Sequence, residues 1–224
     1  DHVAQLPADR NFPGLPRQVE YREGLAVGYR FHDAAGVPAQ FPFGHGLSYT
    51  TFAWDDIALT GAAGETDVAV TVRVTNTGER AGRDVVQVYV RHPEATVSRP
   101  AQELRGFAAV SLAPGESESV TIDLDRRSFA VWDTTRSDWV VDAGTVEIAV
   151  SRSSVDPVQT LTHQLAGDGV TATSDLPPVG TVMDDDTFAA ALGRPIPTPR
   201  PLRPFDRNST LEDLETTRLG RLLS

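Results

Sequence analysis

The chain of 224 residues has no cysteine, which excludes disulfides, thiolate nucleophiles and zinc sites with sulfur ligands. Histidine is scarce as well. Its five scattered copies are the only soft metal ligands that remain. All 20 basic residues are arginine, so a Schiff-base lysine and a phosphate-binding P-loop lysine are also excluded. The composition therefore predicts neither a metal ion nor an organic cofactor.

Long apolar runs and surplus positive charge are absent too. No stretch approaches the ~18 apolar residues of a membrane-spanning helix. The formal net charge at pH 7 is −11, which argues against a partner bound through its phosphate backbone. Hydrophobic residues make up 40% and charged residues 23%, as in ordinary globular proteins. We therefore predict a soluble chain without a nucleic-acid or membrane partner, long enough for one substantial domain with flanking segments.

Residues 1–48 are rich in glycine, proline and aromatic side chains but show no sustained helical periodicity. Such a segment cannot close a core alone, so we expect it to lie against the following domain or another molecule. The chain also begins at Asp1 without an initiator methionine or an apolar leader, a start that we interpret as a cut inside a longer protein. Localisation stays open, although the missing cysteines favour the cytoplasm over secretion.

Residues 50–165 consist of short alternating stretches separated by turn signals. Val68, Val70, Val72 and Val74 alternate with small or polar residues, and Asn76-Thr77-Gly78 ends this run. About seven such strands without intervening amphipathic helices indicate a mainly β fold, an antiparallel β-sandwich of the immunoglobulin or fibronectin type III kind. Since antibody domains need a cysteine pair, the fibronectin type III label fits better. Further alternating triplets are Val86, Val88 and Val90; Val120, Ile122 and Leu124; and Val146, Ile148 and Val150.

Residues 166–224 are predicted to be mostly extended, because closely spaced prolines between positions 195 and 204 prevent regular helix. One short helix is predicted over Asp185–Leu192, ended by Gly193. A second is predicted from Ser209, where a capping box precedes a stripe of leucines that ends at Leu223. Such a stripe must pack on protein.

Several segments, in this order, resemble the C-terminal part of glycoside hydrolase family 3 β-glucosidases. The first three are Asn11-Phe12-Pro13-Gly14, residues 21–31 and Phe41-Pro42-Phe43-Gly44-His45-Gly46-Leu47-Ser48-Tyr49-Thr50-Thr51-Phe52. Within the strands, residues 72–78, 81–90, 99–107 and 112–117 each resemble that family's fibronectin type III-like domain. The tail over residues 205–214 resembles an extension of actinobacterial members.

The resemblance implies a (β/α)8 barrel, then an α/β domain, then a β-sandwich. Residues 1–48 would close the α/β domain, residues 49–165 would form the fibronectin type III-like domain, and residues 166–224 would be a Pro-rich extension with a C-terminal helix. Members are retaining exo-glycosidases, whose chemistry uses a nucleophile and an acid/base about 5–5.5 Å apart. The implied partners are the barrel and α/β domains of the same enzyme and, through them, a β-glucoside; contact with a second copy is left open.

The family's nucleophile belongs to a Ser-Asp-Trp motif on the barrel, and Ser137-Asp138-Trp139 has the same three letters. These residues instead match the late hairpin of the family's β-sandwich, so we interpret Asp138 as structural. The family's acid/base lies upstream of the Asn-Phe-Pro-Gly segment, which places it before residue 1. The resemblance therefore implies that the chain contains no catalytic residue and is inactive alone.

Other side chains that could carry chemistry have simpler interpretations. Glu20 and Glu23 flank a strand-like stretch and suit surface or loop-anchoring roles. The three aspartates at 184–186 lack the spacing and closing glutamate of a calcium loop, so we interpret them as the start of a helix. His45 has no carboxylate or serine near it in sequence, and we interpret it as a hydrogen-bonded turn residue.

Exposed aromatic rings could stack on a pyranose. Trp54, Trp132 and Trp139 are the candidates, but all three lie where a small sandwich needs large core residues, so we predict core packing. Asn208-Ser209-Thr210 is a formal glycosylation sequon, which a helix-capping serine explains without a glycan.

Two alternatives to a structural part of a β-glucosidase stay open. The first is an autonomous β-sandwich module that binds carbohydrate or protein, since sandwiches host many functions. Residues 1–48 argue against it, because a free module has no use for a segment that fits an α/β domain. The second is another sugar specificity within the family, such as xyloside or arabinoside.

Overall fold

The computed structural model describes residues 18–180, 182–198 and 217. Leu25–Gly180 forms one compact unit, and the described residues 18–24 and 182–198 belong to a second unit. No helix in these described parts has the length and apolar character to cross a membrane. The strands of the first unit are β1 (Phe52–Thr60), β2 (Val68–Asn76), β3 (Gly82–Arg91), β4 (Glu103–Leu112), β5 (Ser117–Leu124), β6 (Val131–Asp133), β7 (Asp138–Val140), β8 (Gly144–Ser153) and β9 (Asp156–Leu165).

Seven of these strands form two antiparallel sheets. One sheet has the order β1-β2-β5 and the other the order β4-β3-β8-β9, while β6 and β7 pair as a separate hairpin. The core lies between the two sheets, because the alternating valines of β2 and β3 point inward and are buried. The predicted mainly β sandwich is therefore confirmed.

Strand β3 departs from simple alternation, since Gln87 and Tyr89 are buried on the side that faces away from the core. Their cover is the preceding segment, which contains helix α1 (Tyr29–Ala35) and the loop after it. Gln87 donates from Nε2 to the carbonyl oxygen of Gly44, and the backbone N–H of Ser154 donates to the carbonyl oxygen of Phe43. The expectation that the first segment lies against the sandwich is thus confirmed for residues 25–48.

Helix α1 itself was not predicted from sequence. It has only seven residues, so no helical periodicity can develop over it. Its boundaries are two glycines, Gly28 at the start and Gly36 at the end, and Gly36 adopts the left-handed conformation with φ 62°. A second short helix, α2 (Arg126–Phe129), begins at Asp125, whose side chain accepts a hydrogen bond from the backbone N–H of Ser128.

In the second unit, helix α3 (Asp185–Leu192) has the predicted bounds. Asp184 caps its N-terminus by accepting from the backbone N–H of Thr187 at 2.8 Å, and Gly193 ends it with φ 65°. Arg22 lies over the ring of Phe188 at 4.7 Å and donates to carboxylates on both sides, Glu20 and Asp185. The predicted leucine-rich helix over residues 209–223 lies outside the described residues.

Candidate functional site

The Ser-Asp-Trp sequence lies at the β6–β7 hairpin, as predicted. Asp138 begins β7 and is exposed, and its Oδ1 accepts a hydrogen bond from the backbone N–H of Trp139 at 2.7 Å. Ser137 has φ 55°, a left-handed conformation that the tight turn requires. These features explain the motif as a turn that begins a strand.

The three tryptophans divide into different environments. Trp54 is buried in the core and donates its indole N–H to Asp84 at 2.8 Å. Trp139 is half-buried against the core, and the guanidinium of Arg127 lies 3.3 Å from the centre of its ring. The prediction of core packing is wrong for Trp132, which is 39% exposed. It packs edge-on to Trp139 on the separate two-stranded hairpin.

Asp133, next to Trp132, is fully buried, and the sequence analysis does not predict a role for it. Burial opposes the ionisation of Asp133. Hydrogen bonds from the backbone and side chain of Arg136, and from the backbone and side chain of Thr173, outweigh this effect and hold the pKa of Asp133 well below its usual range. The available signal was an aspartate three residues before Arg136, the spacing of an aspartate-capped turn. Asp133 therefore fastens the segment after β9 to the hairpin.

A second ionic cluster lies where β4 begins. The carboxylate of Glu103 contacts three guanidinium groups, those of Arg105 at 2.6 Å, Arg30 at 3.2 Å and Arg99 at 3.6 Å. Nearby, burial and the charges of Arg99 and Arg105 lower the pKa of His92 to about 3. His92 is accordingly neutral at physiological pH, and Glu103 is engaged as an ion-pair partner.

The remaining sequence candidates have local structural roles. Glu20 pairs with Arg22 at 2.6 Å, and Glu23 is half-buried in the same segment. Asp184 caps α3, which confirms the helix-start interpretation of the three aspartates. The backbone N–H of His45 donates to Pro42 in a turn, and its ring lies 5.7 Å from that of Phe41. The sequon at Asn208 lies outside the described residues.

Two clefts border the loop that follows α1, each with a volume of about 700 Å³. The first has a mixed lining that includes Asp84, Arg152 and Asp156. The second is more apolar and includes Phe41 and Phe43. Within residues 18–180 and 182–198, no group of three or more histidine, aspartate and glutamate side chains is arranged to hold a metal ion.

Comparison with known proteins places this geometry in context. A profile of the fibronectin type III-like domain matches residues 84–154. Thermostable β-glucosidase B of Acetivibrio thermocellus is 46% identical over 158 residues, which make up 70% of this chain and 21% of that enzyme. An exo-α-(1→6)-L-arabinopyranosidase of Bifidobacterium breve is 45% identical over 165 residues, 74% of this chain and 22% of that enzyme.

Among solved structures, the family 3 β-glucosidase of Bifidobacterium adolescentis matches with a TM-score of 0.70 and 34% identity. The match covers 99% of this chain and 28% of that one, so the chain spans between 21% and 28% of these relatives. The actinobacterial source suggested by the tail stays a prediction. The chain thus contains a fibronectin type III-like domain and is homologous to the C-terminal portion of glycoside hydrolase family 3 β-glucosidases.

Proposed function

We propose that the chain is the C-terminal structural part of a retaining, exo-acting β-glucosidase that hydrolyses terminal non-reducing β-D-glucosyl residues. In this proposal residues 1–48 close the α/β domain, residues 49–165 are the fibronectin type III-like domain, and residues 166–224 are an extension. The observation that carries it is the 46% identity to a β-glucosidase of which the match covers only 21%. The catalytic domains would occupy the rest of such an enzyme.

The hydrogen bonds that the carboxylates make support the proposal that this part of the enzyme contains no catalytic residue. A retaining pair needs two carboxyl groups about 5–5.5 Å apart beside a cleft. Asp84 and Asp156 are the two carboxylates that line the first cleft. However, Asp84 accepts the indole N–H of Trp54 on one oxygen and the backbone N–H of Val85 on the other. A carboxylate held in this way suits a structural role better than a nucleophile or a proton donor.

The experiment is a hydrolysis assay with p-nitrophenyl β-D-glucoside. We expect the isolated 224-residue chain to show no hydrolysis above the rate in buffer alone. We expect the whole polypeptide that contains this chain to hydrolyse the substrate. A rate in the isolated chain that disappears in Asp84→Asn, Asp156→Asn or Asp138→Asn, with the fold intact by circular dichroism, would overturn the proposal.

One observation favours a second candidate, the carbohydrate-binding module. Trp132 is 39% exposed on the hairpin, and an exposed ring can stack on the C–H face of a pyranose. A single ring is a weak platform, because a sugar site combines an aromatic ring with several convergent polar groups. Titration of the chain with a soluble β-glucan, with Trp132→Ala as the control, decides between the two: binding that requires Trp132 would favour the module.

One observation supports the alternative of another sugar specificity: an arabinopyranosidase is nearly as similar to this chain, at 45% identity, as a β-glucosidase is, at 46%. A panel of β-glucoside, β-xyloside and α-L-arabinopyranoside substrates, assayed on the whole polypeptide, separates these activities. The β-glucoside should give the highest kcat/KM. A higher value for either pentoside would replace the proposed substrate.

A further inference from the structure

The chain after β9 divides between the two compact units. Residues 166–180 belong to the unit of the sandwich, where Asp133 accepts hydrogen bonds from the backbone and the side chain of Thr173. Residues 182–198 belong to the second unit, together with residues 18–24, and we call residues 182–198 the return segment. Residues that follow the sandwich in sequence are therefore packed with residues that precede it.

Arg22 is the centre of this contact and is only 5% exposed. Within its own segment it donates from Nε to the carboxylate of Glu20 at 2.7 Å. The return segment supplies further partners, because Nη1 donates to the carbonyl oxygen of Met183 at 3.3 Å and to the carboxylate of Asp185 at 2.7 Å. The centre of the Phe188 ring lies 4.7 Å from the Cζ atom of Arg22. The return segment thus gives a carbonyl, a carboxylate and an aromatic ring to this buried charge.

The backbones of the two segments are joined as well. The backbone N–H of Met183 donates to the carbonyl oxygen of Arg22 at 3.2 Å. Gly24 leaves room for the buried Met183 side chain, since a Cβ atom at position 24 would lie 3.1 Å from its Cε atom. Gly24 also has φ 54°, a conformation that favours glycine. Because Met183 and Phe188 are both buried, the contact combines apolar burial with the ion pairs of Arg22.

Each segment depends on the other for this arrangement. A guanidinium taken out of water costs free energy unless it is paired, and without the return segment Arg22 would lose two of its hydrogen-bond acceptors. Helix α3 has eight residues, fewer than the ~12–15 that give an isolated helix marginal stability in water. The return segment therefore needs the surface around Arg22 to be ordered.

We propose that the return segment is a structural part of the domain that precedes the sandwich, and that Arg22 fastens it there. This rests on the proposed function, in which residues 1–48 close the α/β domain. It gives residues 182–198 a different role from that of an appendage to the sandwich, because the chain returns to complete the earlier domain. The match with the B. adolescentis enzyme covers 99% of the chain and so includes the return segment, which has a counterpart in that family 3 enzyme.

Point variants of the whole polypeptide test the role of Arg22, with hydrogen exchange as the measurement. In Arg22→Ala, the amides of Met183 and α3 should exchange about tenfold faster or more, while those of β2 and β3 keep their rates. Phe188→Ala, which alters the other side of the contact, should have the same effect. Arg194→Ala is the matched control, because it removes an exposed arginine of the return segment, and it should change none of these rates. Unchanged exchange in α3 in both test variants would overturn the proposal.

Truncation tests whether the return segment belongs to the earlier domain. A whole polypeptide that ends after Gly180 should lose β-glucosidase activity on heating about tenfold faster or more than the full-length one, while exchange in β2 and β3 stays slow. Equal half-lives of activity would overturn this proposal and leave the proposed function standing. Faster exchange confined to β2 and β3 would make the sandwich the partner and refute it too. A full-length polypeptide that hydrolyses no β-glucoside would instead refute the proposed function.

Discussion

The ring of Tyr29 lies edge-on to the ring of Tyr89, with the two ring centroids 5.7 Å apart. Tyr29 belongs to α1 and Tyr89 to the central strand β3, so this contact joins the first segment to the outer face of the sandwich. The Tyr29 hydroxyl oxygen accepts the backbone N–H of Leu104 at 2.9 Å, and the Tyr89 hydroxyl donates to Gln87 at 2.7 Å. Burial raises the pKa of Tyr89, which keeps its hydroxyl a donor.

Tyr29→Ala tests this contact. The substitution removes an aromatic pair and the acceptor for a backbone N–H, so the free energy of unfolding of the isolated chain should fall by about 2–4 kcal/mol. Urea denaturation followed by fluorescence measures the change. Tyr49→Ala is the control with the same atoms removed, and because Tyr49 is exposed it should cost less than about 0.5 kcal/mol. Equal costs for the two variants would contradict the assigned role of Tyr29.

Trp139→Ala tests the hairpin. A fully buried tryptophan costs about 3–5 kcal/mol when truncated, whereas Trp139 is half-buried between Trp132, Arg127 and the core. We expect a loss of about 2–3 kcal/mol in the free energy of unfolding, measured by chemical denaturation. Trp132→Ala should cost less, because its ring is more exposed. A larger cost for Trp132 would mean that the hairpin packs differently from the structure described above.

His92 gives a pH dependence of defined sign. Because burial, Arg99 and Arg105 lower its pKa to about 3 in the folded chain, His92 stays neutral there at pH values where the unfolded chain, with a pKa near 6.5, takes up a proton. The stabilisation is complete above pH 6.5 and is lost as the pH falls from 6.5 toward 3. Between pH 6.5 and 5 the loss should be about 1–2 kcal/mol.

The measurement compares wild type with His92→Gln by denaturation at several pH values across this window. The variant should lack the extra loss, because glutamine does not titrate, while the other histidines contribute equally to both proteins. Parallel curves for the two proteins would show that His92 has an ordinary pKa in the folded chain.

Periodicity predicted the β-sandwich because the core strands are covered on one face and alternate accordingly, as the four valines of β2 do. It could not predict that β3 is covered on both faces, since this depends on Tyr29 and Gly44, which are distant in sequence. The ion pair between Glu103 and Arg30 is hidden for the same reason, whereas Arg99 and Arg105 are near neighbours of Glu103 in sequence. Trp132 was misassigned because its residue type favours burial, whereas on the separate hairpin its side chain stays 39% exposed.

The proposed function places the catalytic carboxylates outside these 224 residues. A retaining enzyme forms a covalent bond between the sugar and its nucleophile, and a 2-deoxy-2-fluoro-β-D-glucosyl fluoride traps that intermediate on the carboxylate. Peptide mapping by mass spectrometry of the labelled whole polypeptide then locates the residue. We expect the label on a peptide outside residues 1–224 and none on the isolated chain. A label on Asp84, Asp138 or any other carboxylate of this chain would contradict the account.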